Sequence, residues 1–202
     1  MLYIFLKYLL TPVYWLLFRP TCYRRENLRV KGKAIFVCNH VSMLDAATLA
    51  ILSPRIVHFM AKAELFKNPV GNLFFRSLMA FPVTRTQADL SSMKRAMRVL
   101  QNGKVFGIFP EGKRTITNDM DSLEKGAAFL ASRSGAPIIP MYIRRDSYTG
   151  LRLVMIVGEP ILVGDLVANT PKTKIVDVLT DEISDALRAL QAEIETDANP
   201  AR

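Results

Sequence analysis

The run Ala34-Ile35-Phe36-Val37 constrains the fold more than any other stretch of the chain. It is short, rich in β-branched and aromatic residues, and lacks polar alternation. A strand with one wet face would alternate, so this pattern belongs to a strand covered on both faces, in a parallel or mixed sheet. Comparable runs recur at residues 56–60, 105–109, 137–143 and 153–157, and Phe81-Pro82-Val83 forms a shorter one. Between and after them lie segments with helical spacing, at residues 46–52, 69–79, 89–102, 122–134 and 172–195. Alternating strands and helices predict an α/β layered domain, a mixed sheet flanked by helices, whose ligands gather at the carboxyl ends of the strands.

Directly after the first strand comes Cys38-Asn39-His40-Val41-Ser42-Met43-Leu44-Asp45. Ser42, three residues before Asp45 and ahead of an apolar helical run, is expected as a helix N-cap with Asp45 at N3. On one helix His40 and Asp45 would diverge by about 140° around the axis, so their pairing requires a turn. In such a turn Asp45 can hold one imidazole nitrogen and leave the other free as a base. Alone, the spacing equally fits an aspartate that only caps the helix and a histidine that fills the turn.

Two other strands end in polar turns, Thr84-Arg85 and Pro110-Glu111-Gly112-Lys113-Arg114. In the second, a glycine between an acid and two bases lets backbone and cations approach an anion, although a solvated turn would look similar. His58 lies within an apolar run without a nearby acid and is expected to be structural. The chain has two cysteines, Cys22 and Cys38, without metal-ligand spacing, which suits a reducing compartment and gives no disulfide framework.

Residues 1–20 are the most apolar part of the chain, with six aromatics, Tyr3, Phe5, Tyr8, Tyr14, Trp15 and Phe18. Lys7 interrupts the apolar run and Pro12 is expected to break or kink any helix, so neither half reaches the roughly 20 residues of a membrane span. A membrane-embedded hairpin of two short helices is the expectation, with a collar from Arg19 to Lys33 against anionic lipid; a single tilted span and a helix packed in the domain's own core are the alternatives. Residues 1–28 would then anchor a domain formed by residues 29–202. Residues 1–160 carry 23 Lys and Arg against 10 Asp and Glu, a balance of +13, while residues 161–202 carry 4 against 8, a balance of −4. A basic body suits an anionic membrane or phosphorylated metabolites. Nucleic acid is disfavoured because the basic residues are dispersed and no recognised module occurs.

Four blocks, in order, make the chain resemble the glycerolipid acyltransferase family, and specifically its bacterial 1-acylglycerol-3-phosphate acyltransferases. They are Asn39-His40-x4-Asp45, Phe81-Pro82-Val83-Thr84-Arg85, Phe109-Pro110-Glu111-Gly112-Lys113-Arg114-Thr115 and Ala136-Pro137-Ile138-Ile139-Pro140. Lys62-Ala63-Glu64-Leu65 and Gly158-Glu159-Pro160-Ile161 match two further elements, so the likeness covers residues 30–161. Lys113 stands for the family's usual threonine, Thr115 for its serine and Ala80 for its leading glycine. The resemblance implies a glycerolipid acyltransferase-like fold in which His40 and Asp45 form the catalytic dyad. It further implies that Lys62, Arg85, Glu111, Gly112, Lys113 and Arg114 hold the acceptor's glycerol phosphate.

These expectations describe direct acyl transfer from acyl-CoA or acyl carrier protein to a membrane lipid acceptor. No metal or other cofactor is called for, and the place of work would be the cytoplasmic face of the bacterial inner membrane. Lys113 keeps a second acceptor open, such as lyso-ornithine lipid. Two rivals of other classes are a thiol acyl-enzyme on Cys38 and a non-catalytic membrane adaptor.

Overall fold

A computed structural model describes residues 2–84, 90–112 and 123–196, of which residue 196 without its side chain. In chain order its elements are α1 (Leu2–Phe18), β1 (Thr21–Tyr23), β2 (Ala34–Cys38), α2 (Asp45–Leu52), β3 (Val57–Lys62), α3 (Pro69–Ser77) and β4 (Ala80–Val83). After them come α4 (Leu90–Gln101), β5 (Val105–Ile108), α5 (Gly126–Ser134), β6 (Ile138–Ile143), β7 (Val154–Val157), α6 (Val163–Asn169) and α7 (Ile175–Thr196).

The strands form one sheet of seven in the order β1-β7-β6-β2-β5-β3-β4. From β6 to β4 all neighbours are parallel, whereas β7 runs antiparallel to β6 and β1 lies parallel to β7. All five residues of β2 are buried, for a reason that follows from side-chain parity. Ile35 and Val37 enter a core with α4, α5 and α7 on one face. Phe36 and Cys38 enter a second core with α1 and α2 on the other. Covered on both sides, the strand has no position for a polar residue, as its composition predicts. At the sheet edge β4 carries Pro82, whose missing N–H suits a strand with a partner on one side only. The long α7 buries Ile175, Leu179, Ile183, Leu187, Leu190 and Ile194, all six expected from the helical period.

Two local expectations change. First, the N-terminal segment is one helix rather than a hairpin, and Pro12 lies inside it. Tyr3, Lys7 and Tyr14 fall on one stripe of α1 and hold both halves to the body. Val57 N–H donates to Tyr3 Oη at 3.5 Å, Lys7 Nζ bonds the Ser53 carbonyl, and Tyr14 Oη meets Thr48 Oγ1 at 2.5 Å. Attachment on both sides of the proline keeps the helix continuous despite the lost backbone bond. Among the described residues no helix is long and apolar enough to cross a membrane.

Second, α2 starts at Asp45, with Leu44 rather than Ser42 in the capping position and no side-chain cap. The Asp45 carboxylate reaches back to the N–H groups of Val41 and Ser42 instead, so it closes the turn before the helix. On α3 the apolar residues Val70 and Leu73 face outward, 76% and 68% exposed. The opposite side is pressed on the Ala63–Phe66 turn, where a Cβ on Gly71 would lie 2.4 Å from the Leu65 carbonyl oxygen. Three-residue β1 and seven-residue α6 were not expected, since elements so short carry no period.

Gly107 on β5 marks a close approach. A Cβ there would sit 2.4 Å from Phe59 Cε1 and 2.9 Å from Val57 Cγ1. Gly107→Ala is therefore expected to lower stability by about 1–3 kcal/mol, the usual cost of overpacking a tight core. A urea titration checks it, and an unchanged midpoint would contradict the packing described.

Candidate active site

At the carboxyl end of β2 the chain leaves the sheet through Asn39, which is buried. Its Nδ2 donates to the Ile143 carbonyl at 2.9 Å, and its Oδ1 accepts the Ile143 N–H at 2.7 Å. This two-way bond continues the β2–β6 ladder by one side chain and fixes where the next residue emerges. The His40 N–H donates to Glu111 Oε1 at 3.2 Å, so the turn after β5 braces the turn after β2. The His40 ring stacks on Phe109, centroids 4.3 Å apart and planes 17° from parallel. Phe109 stacks in turn on Phe59, at 6.2 Å, the ring for which Gly107 leaves room.

Asp45 is fully buried, and four donors converge on its two oxygens. Oδ2 accepts from His40 Nδ1 at 2.7 Å and from the Val41 and Ser42 N–H groups, both at 2.8 Å. Oδ1 accepts from Tyr148 Oη at 2.8 Å. A carboxylate removed from water is tolerated only with such partners. Because a carboxylate accepts and does not donate, Nδ1 carries the proton and Nε2 is the nitrogen left for a substrate. The His40 side chain is 17% exposed, which gives it an opening to solvent while Asp45 has none.

The expected phosphate-binding residues divide into two groups. Glu111 and Gly112 lie beside His40, in a turn where the Gly112 N–H donates to the Phe109 carbonyl at 3.2 Å. Gly112 has φ +65°, and a Cβ would come within 3.2 Å of Glu124 Cγ, so glycine is required there. Glu111 acts on the protein itself, through the His40 backbone. Lys62 is exposed at the carboxyl end of β3, on the same sheet edge as His40 and with β5 between their strands. Arg85, Lys113 and Arg114 lie outside the described residues.

Neither thiol is suited to attack a thioester. Burial, followed by the Asp45 and Glu111 carboxylates, pushes the Cys38 thiol well above its ordinary value, and burial pushes Cys22 up to about 12. At neutral pH both stay protonated. His58 donates from Nδ1 to the Val105 carbonyl at 3.2 Å and burial lowers its pKa, as suits a structural histidine. Sequence reasoning missed Tyr148 and Thr48. Tyr148 lies 103 residues from Asp45, and no local pattern joins them. Asn39 was legible in principle, as a polar residue closing an otherwise apolar strand.

The family model for acyltransferases matches residues 19–144, from the connection before β1 through the end of β6. A 1-acyl-sn-glycerol-3-phosphate acyltransferase of Bacillus subtilis is 30% identical over 179 residues, 86% of this chain and 88% of that protein. A protein of Caenorhabditis elegans named as the same kind of enzyme is 29% identical over 140 residues, 67% of this chain and 50% of its own length. The crystal structure of PlsC, the 1-acyl-sn-glycerophosphate acyltransferase of Thermotoga maritima, shares the fold with a TM-score of 0.69 at 20% identity, over 95% of this chain and 82% of that one. The helix-flanked mixed sheet agrees with these likenesses, and the chain belongs to the acyltransferase family.

Proposed function

We propose that the chain transfers a fatty acyl group from an acyl thioester to the free hydroxyl of 1-acylglycerol-3-phosphate, giving phosphatidic acid. The observation that carries this reading is the 2.7 Å bond between His40 Nδ1 and an Asp45 oxygen that two backbone N–H groups already hold in place. His40 Nε2 takes the proton of the acceptor hydroxyl as its oxygen attacks the thioester carbonyl. The C–O bond forms, the C–S bond breaks, and the proton passes to the departing sulfur. The acceptor supplies the nucleophile, so no acyl-enzyme is required. General-base assistance of this kind is worth about 10² to 10⁴ in rate. Positioning and stabilisation of the developing oxyanion supply the rest.

Phosphate recognition falls in this proposal to Lys62, Arg85, Lys113 and Arg114, with Gly112 letting the backbone approach, since guanidinium groups suit a phosphomonoester. Glu111 lies in the same turn and braces His40 through its backbone N–H. The acyl donor is acyl-CoA or acyl carrier protein.

The lipid acceptor is met at a membrane surface, the cytoplasmic face of a bacterial inner membrane, with α1 lying in one leaflet. Supporting this, the side of α1 away from the body carries Phe5, Tyr8, Leu9 and Leu16, the last 76% exposed. An exposed apolar stripe above a basic body fits an interfacial helix.

The test of the reaction is to incubate the purified protein with labelled acyl-CoA and a panel containing lysophosphatidic acid and lyso-ornithine lipid. Labelled phosphatidic acid is expected; acylation of lyso-ornithine lipid alone would overturn the choice of acceptor. His40→Ala should retain less than about 1% of the rate. Cys38→Ser should keep it within about twofold, whereas a collapse of activity would favour a thiol intermediate. For the membrane reading, Leu9→Glu with Leu16→Glu should weaken co-sedimentation with phosphatidylglycerol vesicles about tenfold or more, as the loss of two buried leucines demands. Unchanged sedimentation would contradict it.

A further inference from the structure

Behind the dyad lies a chain of hydroxyl groups that leads from Asp45 to the N-terminal helix. Tyr148 Oη is 2.8 Å from Asp45 Oδ1, Thr48 Oγ1 is 2.8 Å from Tyr148 Oη, and Tyr14 Oη is 2.5 Å from Thr48 Oγ1. Thr48 is fully buried and Tyr14 nearly so.

Each hydroxyl has one proton, and the carboxylate at the end only accepts. Tyr148 must therefore give its proton to Asp45. That leaves its oxygen to accept from Thr48, and the Thr48 oxygen to accept from Tyr14. Thr48 Oγ1 also lies within donating distance of the Leu44 carbonyl, at 3.1 Å, which accepts the Thr48 N–H at 2.8 Å as well. Of the two acceptors open to the Thr48 hydroxyl, Tyr148 Oη is the nearer, at 2.8 Å against 3.1 Å, and this gives the order Tyr14 to Thr48 to Tyr148 to Asp45. Burial raises the pKa of both phenols, so both remain donors. Hydrogen bonds aligned head to tail polarise and strengthen one another in a dry interior.

We infer that Tyr148 is a positioning residue for the dyad, and that Tyr14 and Thr48 extend this role into a relay through which the seating of α1 sets the hold on Asp45. The inference rests on His40 and Asp45 being the catalytic pair. Tyr148 occupies Oδ1 and so reserves Oδ2 for His40, Val41 and Ser42. Without it Oδ1 loses its partner, the carboxylate is held at Oδ2 alone, and the aim of the imidazole loosens. The same contact is framed by aromatic rings: Phe18 of α1 lies 4.8 Å from Tyr14 and, edge to face, 5.9 Å from Tyr148. One side of α1 thereby closes the hydroxyl chain, and the other presents apolar side chains outward. A displacement of the helix would break the chain at Tyr14 before it disturbed any residue at the substrate opening.

Tyr148→Phe keeps the ring and removes the hydroxyl. On the full chain, assayed with lysophosphatidic acid and palmitoyl-CoA in mixed micelles, it is expected to lower kcat about tenfold with both KM values within about twofold, as loss of alignment without loss of binding requires. Tyr14→Phe, one link further away, should lower kcat about threefold, and the double variant should be no worse than Tyr148→Phe, because a broken chain gains nothing from its outer member. Thr48→Ser should retain kcat and Thr48→Val should not, which covers the case in which a tyrosine variant fails to fold. Independently of any substrate, the His40 Nδ1 proton resonance in ¹⁵N-histidine-labelled protein should move in Tyr148→Phe and, by less, in Tyr14→Phe. Wild-type kcat with an unmoved resonance in Tyr148→Phe would overturn the relay, as would single losses that simply multiply in the double variant. Should His40→Ala retain full activity, the dyad itself would be wrong; inactive His40→Ala beside fully active Tyr148→Phe would remove the relay alone.

Discussion

A carboxylate with no access to water sits at the junction of β2 and α2, and most of the site exists to satisfy it. Asp45 accepts four hydrogen bonds, two from the backbone of its own turn, one from His40 and one from Tyr148. Losing any donor would leave a buried charge partly unpaired, at a cost of about 1–3 kcal/mol for each lost bond. The turn, the imidazole and the segment after β6 are therefore locked to a single group. Rigidity of this kind is what a general base needs, since the gain from proton transfer depends on holding the nitrogen within hydrogen-bond reach of the hydroxyl. The sheet contributes by placing β2 between β5 and β6, so that Glu111 and Ile143 brace the same turn from opposite sides.

Much of this was legible from residue pattern, and the reasons are specific. Strand β2 announced itself because both its faces are covered, and α7 because six apolar residues keep the helical period over its length. His40 and Asp45 were found because their spacing permits a local turn, and the order of later blocks gave that turn company. What escaped was mostly long-range. Tyr148 meets Asp45 and Tyr14 meets Thr48 only through the packing of distant segments, so no window of sequence contains both members. The start of α2 was misplaced for a related reason: Ser42 has the chemistry of a cap, but the Asp45 carboxylate already holds the N–H groups of the preceding turn. Pro12 misled because tertiary contacts at Tyr3, Lys7 and Tyr14 outweigh the local preference for a break.

Glu111 shows how one residue can serve a motif differently from its neighbours. The sequence places it with the anion-binding group, and in the structure its Oε1 also accepts the His40 N–H and stiffens the turn that carries His40. Gly112 beside it has a backbone conformation that would strain a side chain, with Glu124 close by. The turn after β5 thus combines a brace for the dyad with an opening through which the backbone could approach a phosphate. On the far side of the dyad, α1 turns one stripe to the protein and leaves its apolar remainder uncovered. The same helix thus joins an exposed apolar stripe to the hydroxyl groups behind Asp45.

The central claim is that the charge of Asp45, and not only its shape, makes His40 a base. Asp45→Asn isolates that charge. Its amide oxygen can keep the bonds from Val41, Ser42 and His40, while its NH₂ faces the Tyr148 oxygen, so the turn is preserved. Steady-state kinetics on this variant, with folding checked by thermal melting, should show kcat reduced by about 10² to 10⁴ with KM little changed, as expected when an imidazole loses its orienting and stabilising anion. A folded Asp45→Asn protein with kcat within a few-fold of wild type would contradict the account.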